Sequence, residues 1–178
     1  MSLNNYQPIK TASTKQTFSD YIESLDIPQI DYFAIGIQNR VTCQSISLMS
    51  LPEWQKHFTE NGYANHDPIR KATLYTKRNF IPFCEIDFVD NFGKEIMKKR
   101  SNMGIKNGII LMERFAKFNY MVTLGTGFSS FDAFDFINRY YNQLHLIKND
   151  LISLVEKDTH FFLPKIISEA THLSTDAK

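Results

Sequence analysis

Residues 50–71 read "SLPEWQKHFTENGYANHDPIRK" and hold the chain's only tryptophan, Trp54, thirteen residues before an aspartate joined to a proline, Asp67-Pro68. Ser50 and Glu53 stand in the S-x-x-E spacing of a capping box, and Pro52 suits a first helical turn. Met49 and Trp54 then take the two positions of a hydrophobic staple. Gly62 is a C-terminal stop. Asp67 is an N-cap and Pro68 the first residue of the next helix. The stretch therefore predicts a short helix, a brief turn and a second helix over about 51–77.

Working outward, "TFSDYIESLD" spaces Phe18, Tyr21, Ile22 and Leu25 as a helix does. "DYFAIGIQNRVTCQSISLMS", rich in Ile, Val and Thr, predicts strands at 31–38 and 42–49 with a turn at Asn39-Arg40. Residues 1–12 have no clear period and read as a loose lead-in. Downstream, "RNFIPFCEIDF" is irregular, with Pro82 against regular pairing. A charged helix over about 90–103 stops at Gly104. "NGIILMERF" and "NYMVTLGTG" predict a hairpin, 108–115 and 119–126, turning at 117–119. A long helix starts at Ser129, with Ile137, Tyr141, Leu144, Lys148, Leu151 and Val155 on one face. This order of elements predicts an α/β (α+β) domain in which helices cover both faces of an antiparallel sheet.

Composition narrows the function. At 178 residues the chain has the length of one domain, and its 15 Phe and 8 Tyr suit a thick core or a roomy apolar pocket. A net charge of +1 argues against a nucleic-acid surface. Two short basic groups, Arg70/Lys71/Lys77/Arg78 and Lys98/Lys99/Arg100, read as solvated helix faces. Cys43 and Cys84 make neither a disulfide framework nor a metal site. No apolar run reaches the ~18 residues of a membrane span, and "MSLNNYQPIK" has no signal-peptide core. The expectation is a soluble, cytoplasmic protein with no membrane association.

Catalytic signatures are lacking: there is no G-x-S-x-G, Walker loop or H-E-x-x-H. The five histidines have no metal-ligand spacing. "GTGF" at 125–128 is a strand-end turn rather than a dinucleotide loop. Glu85, Asp87 and Asp90 cluster without an identifiable base or nucleophile. No enzyme, no cofactor, no catalytic residue and no metal site are expected.

The opening stretch resembles the autoinducer-binding domain of LuxR-type quorum-sensing regulators, which carries a Trp, an aromatic four residues later, and Asp-Pro thirteen after the Trp. Here these are Trp54, Phe58 and Asp67-Pro68. "GIKNGIILM", Gly104 to Met112, resembles the family's G-[IL]-x-x-G and following strand, and "MVTLGT", Met121 to Thr126, stands where a pocket-closing strand belongs. The match in element order runs over residues 15–160. The resemblance implies a helix–sheet–helix sandwich enclosing an N-acyl-homoserine lactone. Under it, Trp54 donates its indole N–H to the lactone carbonyl, Asp67 accepts the ligand amide N–H, Thr123 stands near the acyl carbonyl, and Phe58 forms an apolar wall. An indole only donates and a carboxylate only accepts, which matches the opposite edges of an amide-bearing ligand.

Three positions depart from the family. Phe58 replaces its usual Tyr, and Ser50, a weaker ligand candidate, replaces a Tyr four before the Trp. A second Trp is missing near Phe83, Cys84 or Glu85. Each of these side chains also has a structural reading: Trp54 as a core ring, Asp67 as a cap, Thr123 as a strand former.

The resemblance implies a sensor domain at 1–165 and a linker or tail at 166–178. DNA would be reached only through a helix-turn-helix domain that this sequence does not contain. The leading expectation is a sensor that binds N-acyl-homoserine lactone or a similar amphipathic signal and forms a homodimer, with binding coupled to folding and dimerisation. The alternative is a short interaction protein that has lost lactone binding and heterodimerises with a full-length regulator. A third reading is an enzyme acting on acyl amides or lactones.

Overall fold

The computed structural model describes residues 6–88 and 90–158. In "YFAIGIQN" successive side chains point to opposite faces of a strand, and here both faces are apolar. Strand β2 (Tyr32–Asn39) therefore lies at the centre of a sheet covered on both sides. The other strands are β1 (Tyr6–Pro8), β3 (Ser45–Met49), β4 (Phe80–Pro82), β5 (Asn107–Phe115) and β6 (Phe118–Thr126). Their order across the sheet is β1-β3-β2-β6-β5-β4.

The register puts Leu111, Val122, Ile35 and Leu48 in one row across four strands. Tyr120, Ile37 and Ile46 form the next row. These side chains pack under helices α1 (Ala12–Glu23) and α5 (Ala133–Glu156), through Phe18, Phe136, Leu144 and Leu151. The opposite face carries Tyr32, Ala34, Ile110, Met112 and Met121. It is covered by α2 (Pro52–Glu60), a 3-10 turn at Tyr63–Asn65, α3 (Pro68–Tyr75) and α4 (Asn91–Asn102). Helices thus cover both faces, as expected.

The sheet is mixed rather than antiparallel, because β1 pairs parallel to β3, Tyr6 opposite Ser45 and Pro8 opposite Ser47. Three residues at an edge are too few to show a period, and the segment had read as a lead-in. β3 begins later than expected because the chain loops at 40–44. Asn39 Oδ1 accepts from the N–H groups of Val41 and Thr42, and Cys43 has φ 59°. The β5–β6 turn falls on Ala116-Lys117, with Ala116 at φ 49°, a conformation no Gly or Asn had flagged.

The capping box does not form. Leu51 is the N-cap of α2, while Ser50 Oγ accepts from Phe33 N–H (2.9 Å) and Ser50 N–H donates to Phe33 O (2.8 Å). Pairing with β2 has claimed the serine, and the staple register is lost with it. Asp67 does cap α3, accepting from Ile69 N–H, with Pro68 at the first helical position. The expected stripe on α5 holds at Ile137, Leu144, Lys148, Leu151 and Val155, but Tyr141 is exposed and Phe136 and Ile147 are buried. The backbone leaves helical values at Tyr140 (φ −111°, ψ 18°), which rotates the buried face there. The tail expected from 166 lies outside the described residues. Among the described residues no helix is long and apolar enough to cross a membrane.

Candidate functional site

The second sheet face is built from small residues at its centre. Ala34 and Gly36 on β2, Ser45 and Ser47 on β3, and Thr123 on β6 rise little above the backbone. Their rows run Met49–Ala34–Thr123–Ile110 and Ser47–Gly36–Met121–Met112. The overlying α2 and α3 cannot follow that dip, and a cavity of about 70 Å³ remains between sheet and helices. Pockets that take small ligands are commonly ~300–1,000 Å³, so an amphipath must displace wall side chains. Met49 and Met121, unbranched and flexible, line the cavity and supply that freedom.

Glycines set the far edge of the site. Gly104 ends α4 at φ +90°, where a side chain would be strained. Gly108 and Gly125 face each other across β5 and β6, and a Cβ on Gly108 would lie 2.2 Å from Leu124 O. A Cβ on Gly125 would meet Ile105 and the Tyr32 ring, so its absence lets Tyr32 lie flat and reach the cavity wall.

Three of the five residues expected at a binding site line the cavity: Phe58, Asp67 and Thr123. Trp54 stands behind the wall, fully buried. Its ring meets Phe58 edge-on at 5.9 Å and Tyr63 at 6.2 Å between centroids. Its Nε1–H lies near the Tyr32 hydroxyl yet makes no hydrogen bond, so a buried donor is left without a partner. Ser50 is not brought to the cavity; it ties the end of β3 to β2. Of the candidates for the missing second tryptophan's place, Phe83 is buried in the second core, while Cys84 and Glu85 are exposed.

Arg100 was missed. It had read as part of a solvated basic face, yet it is 4% exposed. Its Nη2 donates to Asp67 Oδ1 at 3.1 Å, and its guanidinium carbon lies 5.2 Å from the centre of the Trp54 ring. The pair is buried on both sides, at 5% and 7% side-chain exposure. The signal was spacing: Arg100 follows Ile96 by four residues, on the face of α4 that enters the core.

Arg70, half-buried, also lines the cavity. Its Nη1 donates to Ala64 O (2.8 Å), while its buried Nε finds no acceptor. Burial pulls the Arg70 pKa below its usual value, and the charge of Asp67 opposes that pull. Tyr6 comes from the unforeseen strand β1. Its hydroxyl shares a 2.7 Å hydrogen bond with Ser47 Oγ and accepts from Gln55 Nε2 at 2.6 Å. Burial raises the pKa values of Tyr6 and Tyr32 above the usual phenol range, with Arg100 partly offsetting the rise at Tyr32.

The acidic group at 85–90 is occupied locally. Glu85 pairs with Arg78, and Asp90 caps α4 at Gly93 N–H (2.6 Å) and pairs with Lys71 (3.0 Å). Among the described residues no group of three or more His, Cys, Asp and Glu is placed to hold a metal ion. What the cavity can do is bind: it offers apolar walls, three charged side chains and several buried polar atoms without partners.

A family model described as the autoinducer-binding domain matches residues 14–152. Curated protein sequences yield no match. Among solved structures, SdiA in complex with octanoyl-rac-glycerol is similar at a TM-score of 0.59 with 11% identity, over 84% of this chain and 61% of that one. The solution structure of E. coli SdiA residues 1–171 gives 0.58 with 9% identity, over 82% and 84%. CepR2 from Burkholderia cenocepacia, an N-acylhomoserine lactone dependent LuxR family transcription factor, gives 0.52 with 16% identity, over 86% and 96%. The chain thus spans about 61% of the length of the ligand-bound SdiA chain. At these identities the structural likeness establishes the fold alone.

Proposed function

The chain belongs to the autoinducer-binding domain family, whose domains sense signals and are not catalytic, and on that premise we propose that its cavity takes an N-acyl-homoserine lactone or a similar amphipathic acyl signal. The observation that carries this reading is the cavity itself. Small residues hollow the sheet face beneath α2 and α3, and around the hollow Trp54 Nε1, Arg70 Nε and Ser45 Oγ are buried without partners. A buried donor left unpaired costs about 1–3 kcal/mol, which a ligand acceptor would return. In this reading Phe58 and Thr123 touch the ligand directly. Asp67 and Trp54 act together with Arg100, which lies between them.

Ligand burial would fill the second core and so stabilise the fold, coupling the signal to folding. The domain is then the sensing half of a LuxR-type transcription regulator. Dimerisation uses the α5 side, where Phe134, Tyr141 and Leu146 remain exposed. The test is a titration of the purified protein with acyl-homoserine lactones of graded chain length, read by melting temperature and native mass spectrometry. A ligand at one hundred times its Kd adds about 2.7 kcal/mol, or roughly 5–11 °C in a domain this size. No shift at any chain length, and no co-purified small molecule, would sink the sensor reading.

A second reading, an interaction protein that pairs with a full-length regulator without sensing lactone, has one observation in its favour. Arg100 already answers the charge of Asp67, the acceptor that a lactone's amide would use. Dimers in native mass spectra without any ligand effect would favour it.

A further inference from the structure

Given that the cavity takes an acyl signal, we infer that its ligand ends in a carboxylate: the occupant is an amphipathic monocarboxylate, its head held by Arg70 and Arg100 and its tail by the apolar wall. The charges come first. The cavity wall contains three charged side chains, Asp67, Arg70 and Arg100. Two guanidiniums against one carboxylate leave positive charge in excess at the cavity wall; Arg70 is half-buried and its Nη atoms reach Ala64 O and Cys43 O, but its buried Nε still calls for an acceptor. Asp67 carries a single charge, paired with Arg100, and only partly offsets Arg70. Its Oδ1 already accepts from Ile69 N–H at 3.3 Å and from Arg100 Nη2 at 3.1 Å.

Hydrogen-bonding capacity agrees with charge. Arg70 Nε, in the cavity wall, can only donate and is buried without an acceptor. Ser45, 4% exposed, has a hydroxyl in the cavity wall that is likewise unpartnered and free to donate. A carboxylate is planar, accepts on both oxygens and matches the fork of a guanidinium. A phosphate would bring nearly two charges and more bulk to a site with one charge to neutralise and about 70 Å³ of space. Beyond the head, Met49, Phe58 and Met121 offer an acyl chain only apolar contact. Phe58 in particular supplies no hydroxyl for a lactone carbonyl.

Two sources of such a ligand share this chemistry: a plain fatty acid and an acyl-homoserine whose lactone ring has opened. Two matched pairs of probes separate head charge from everything else. One pair is N-octanoyl-homoserine lactone and its ring-opened acid; the other is methyl octanoate and octanoate, each repeated with chains of four to twelve carbons. Calorimetric titration of the intact chain near neutral pH should show each acid binding at least tenfold more tightly than its uncharged partner. The preferred acid identifies the source. The preference should fall below threefold in Arg70→Gln, and also in the double variant Asp67→Asn/Arg100→Gln, which removes the ion pair without stranding a lone buried charge. Circular dichroism reports whether both variants fold.

Uncharged partners that bind as tightly as the acids, or an acid preference that survives both variants, would overturn the carboxylate head and leave small-molecule sensing in place. If no probe of any length binds, the sensing reading falls with it.

Discussion

The Arg100–Asp67 pair can be taken apart one charge at a time. Arg100→Met keeps the unbranched apolar stem that packs along α4, but removes the guanidinium beside Asp67 and above Trp54. Removing one partner of a buried pair costs about 3–5 kcal/mol, because the other charge stays behind unpaired. At roughly 2–4 °C per kcal/mol for a domain of this size, the melting temperature should fall by about 6–20 °C. Asp67→Asn is gentler, at about 2–3 kcal/mol, since an asparagine oxygen can still accept from Ile69 N–H and Arg100 still stacks on Trp54. The double variant leaves no lone charge, and exchange of a whole buried pair for neutral groups is often nearly free. It should therefore cost less than the sum of the single variants by about 2–4 kcal/mol. Urea unfolding gives all three numbers, with the fluorescence of Trp54, the only tryptophan, as its signal. Additivity to within ~0.5 kcal/mol would mean that the two side chains are not coupled, and the account of the cavity's charges would fail.

Three further outcomes are expected. Gly108→Ala places a methyl group 2.2 Å from Leu124 O, a backbone atom in the adjacent strand, so the β5–β6 ladder must part; soluble yield should collapse or stability drop by more than about 3 kcal/mol, and an unchanged melting temperature would contradict the strand register. Trp54→Phe removes an N–H that has no partner, so it costs only the packing of a smaller ring, about 1–3 kcal/mol, while ligand affinity falls by more than stability does if the N–H serves the ligand; equal losses would reduce Trp54 to a core ring. Burial raises the pKa of Tyr32 in the folded state above its unfolded value near 10, so its contribution is full below about pH 10 and is lost as pH climbs through the folded value. Tyr32→Phe should therefore flatten the alkaline loss of stability seen by urea titration at stepped pH, and an equally steep loss would place the phenol in water.

The sandwich was legible wherever one local rule acted alone. Asp67-Pro68 announced its helix because an N-cap and a first-position proline need nothing from the rest of the chain. The hairpin partners β5 and β6 and the central β2 showed in their β-branched runs for the same reason. Reading failed where tertiary pairing outbid local preference. Ser50 had an ideal capping sequence, but its backbone and hydroxyl went to Phe33 on the neighbouring strand. Tyr6–Pro8 had no period to show, and became a strand only because β3 offered it an edge.

The site followed the same division. Phe58, Asp67 and Thr123 could be placed by spacing, since each sits on an element whose own sequence is clear. Arg70 and Arg100 could not, because a basic residue among other basic residues is ordinarily solvated. Only the four-residue step from Ile96 turns Arg100 inward, where Asp67 and the face of Trp54 receive it. Phe58 lines the cavity without a hydroxyl, Phe83 is buried in the second core as an apolar ring, and Arg100 sets a buried cation against Asp67. On the carboxylate-head proposal such a pocket prefers an anionic head to an amide-bearing neutral one, and its floor of small residues and methionines suits an acyl chain.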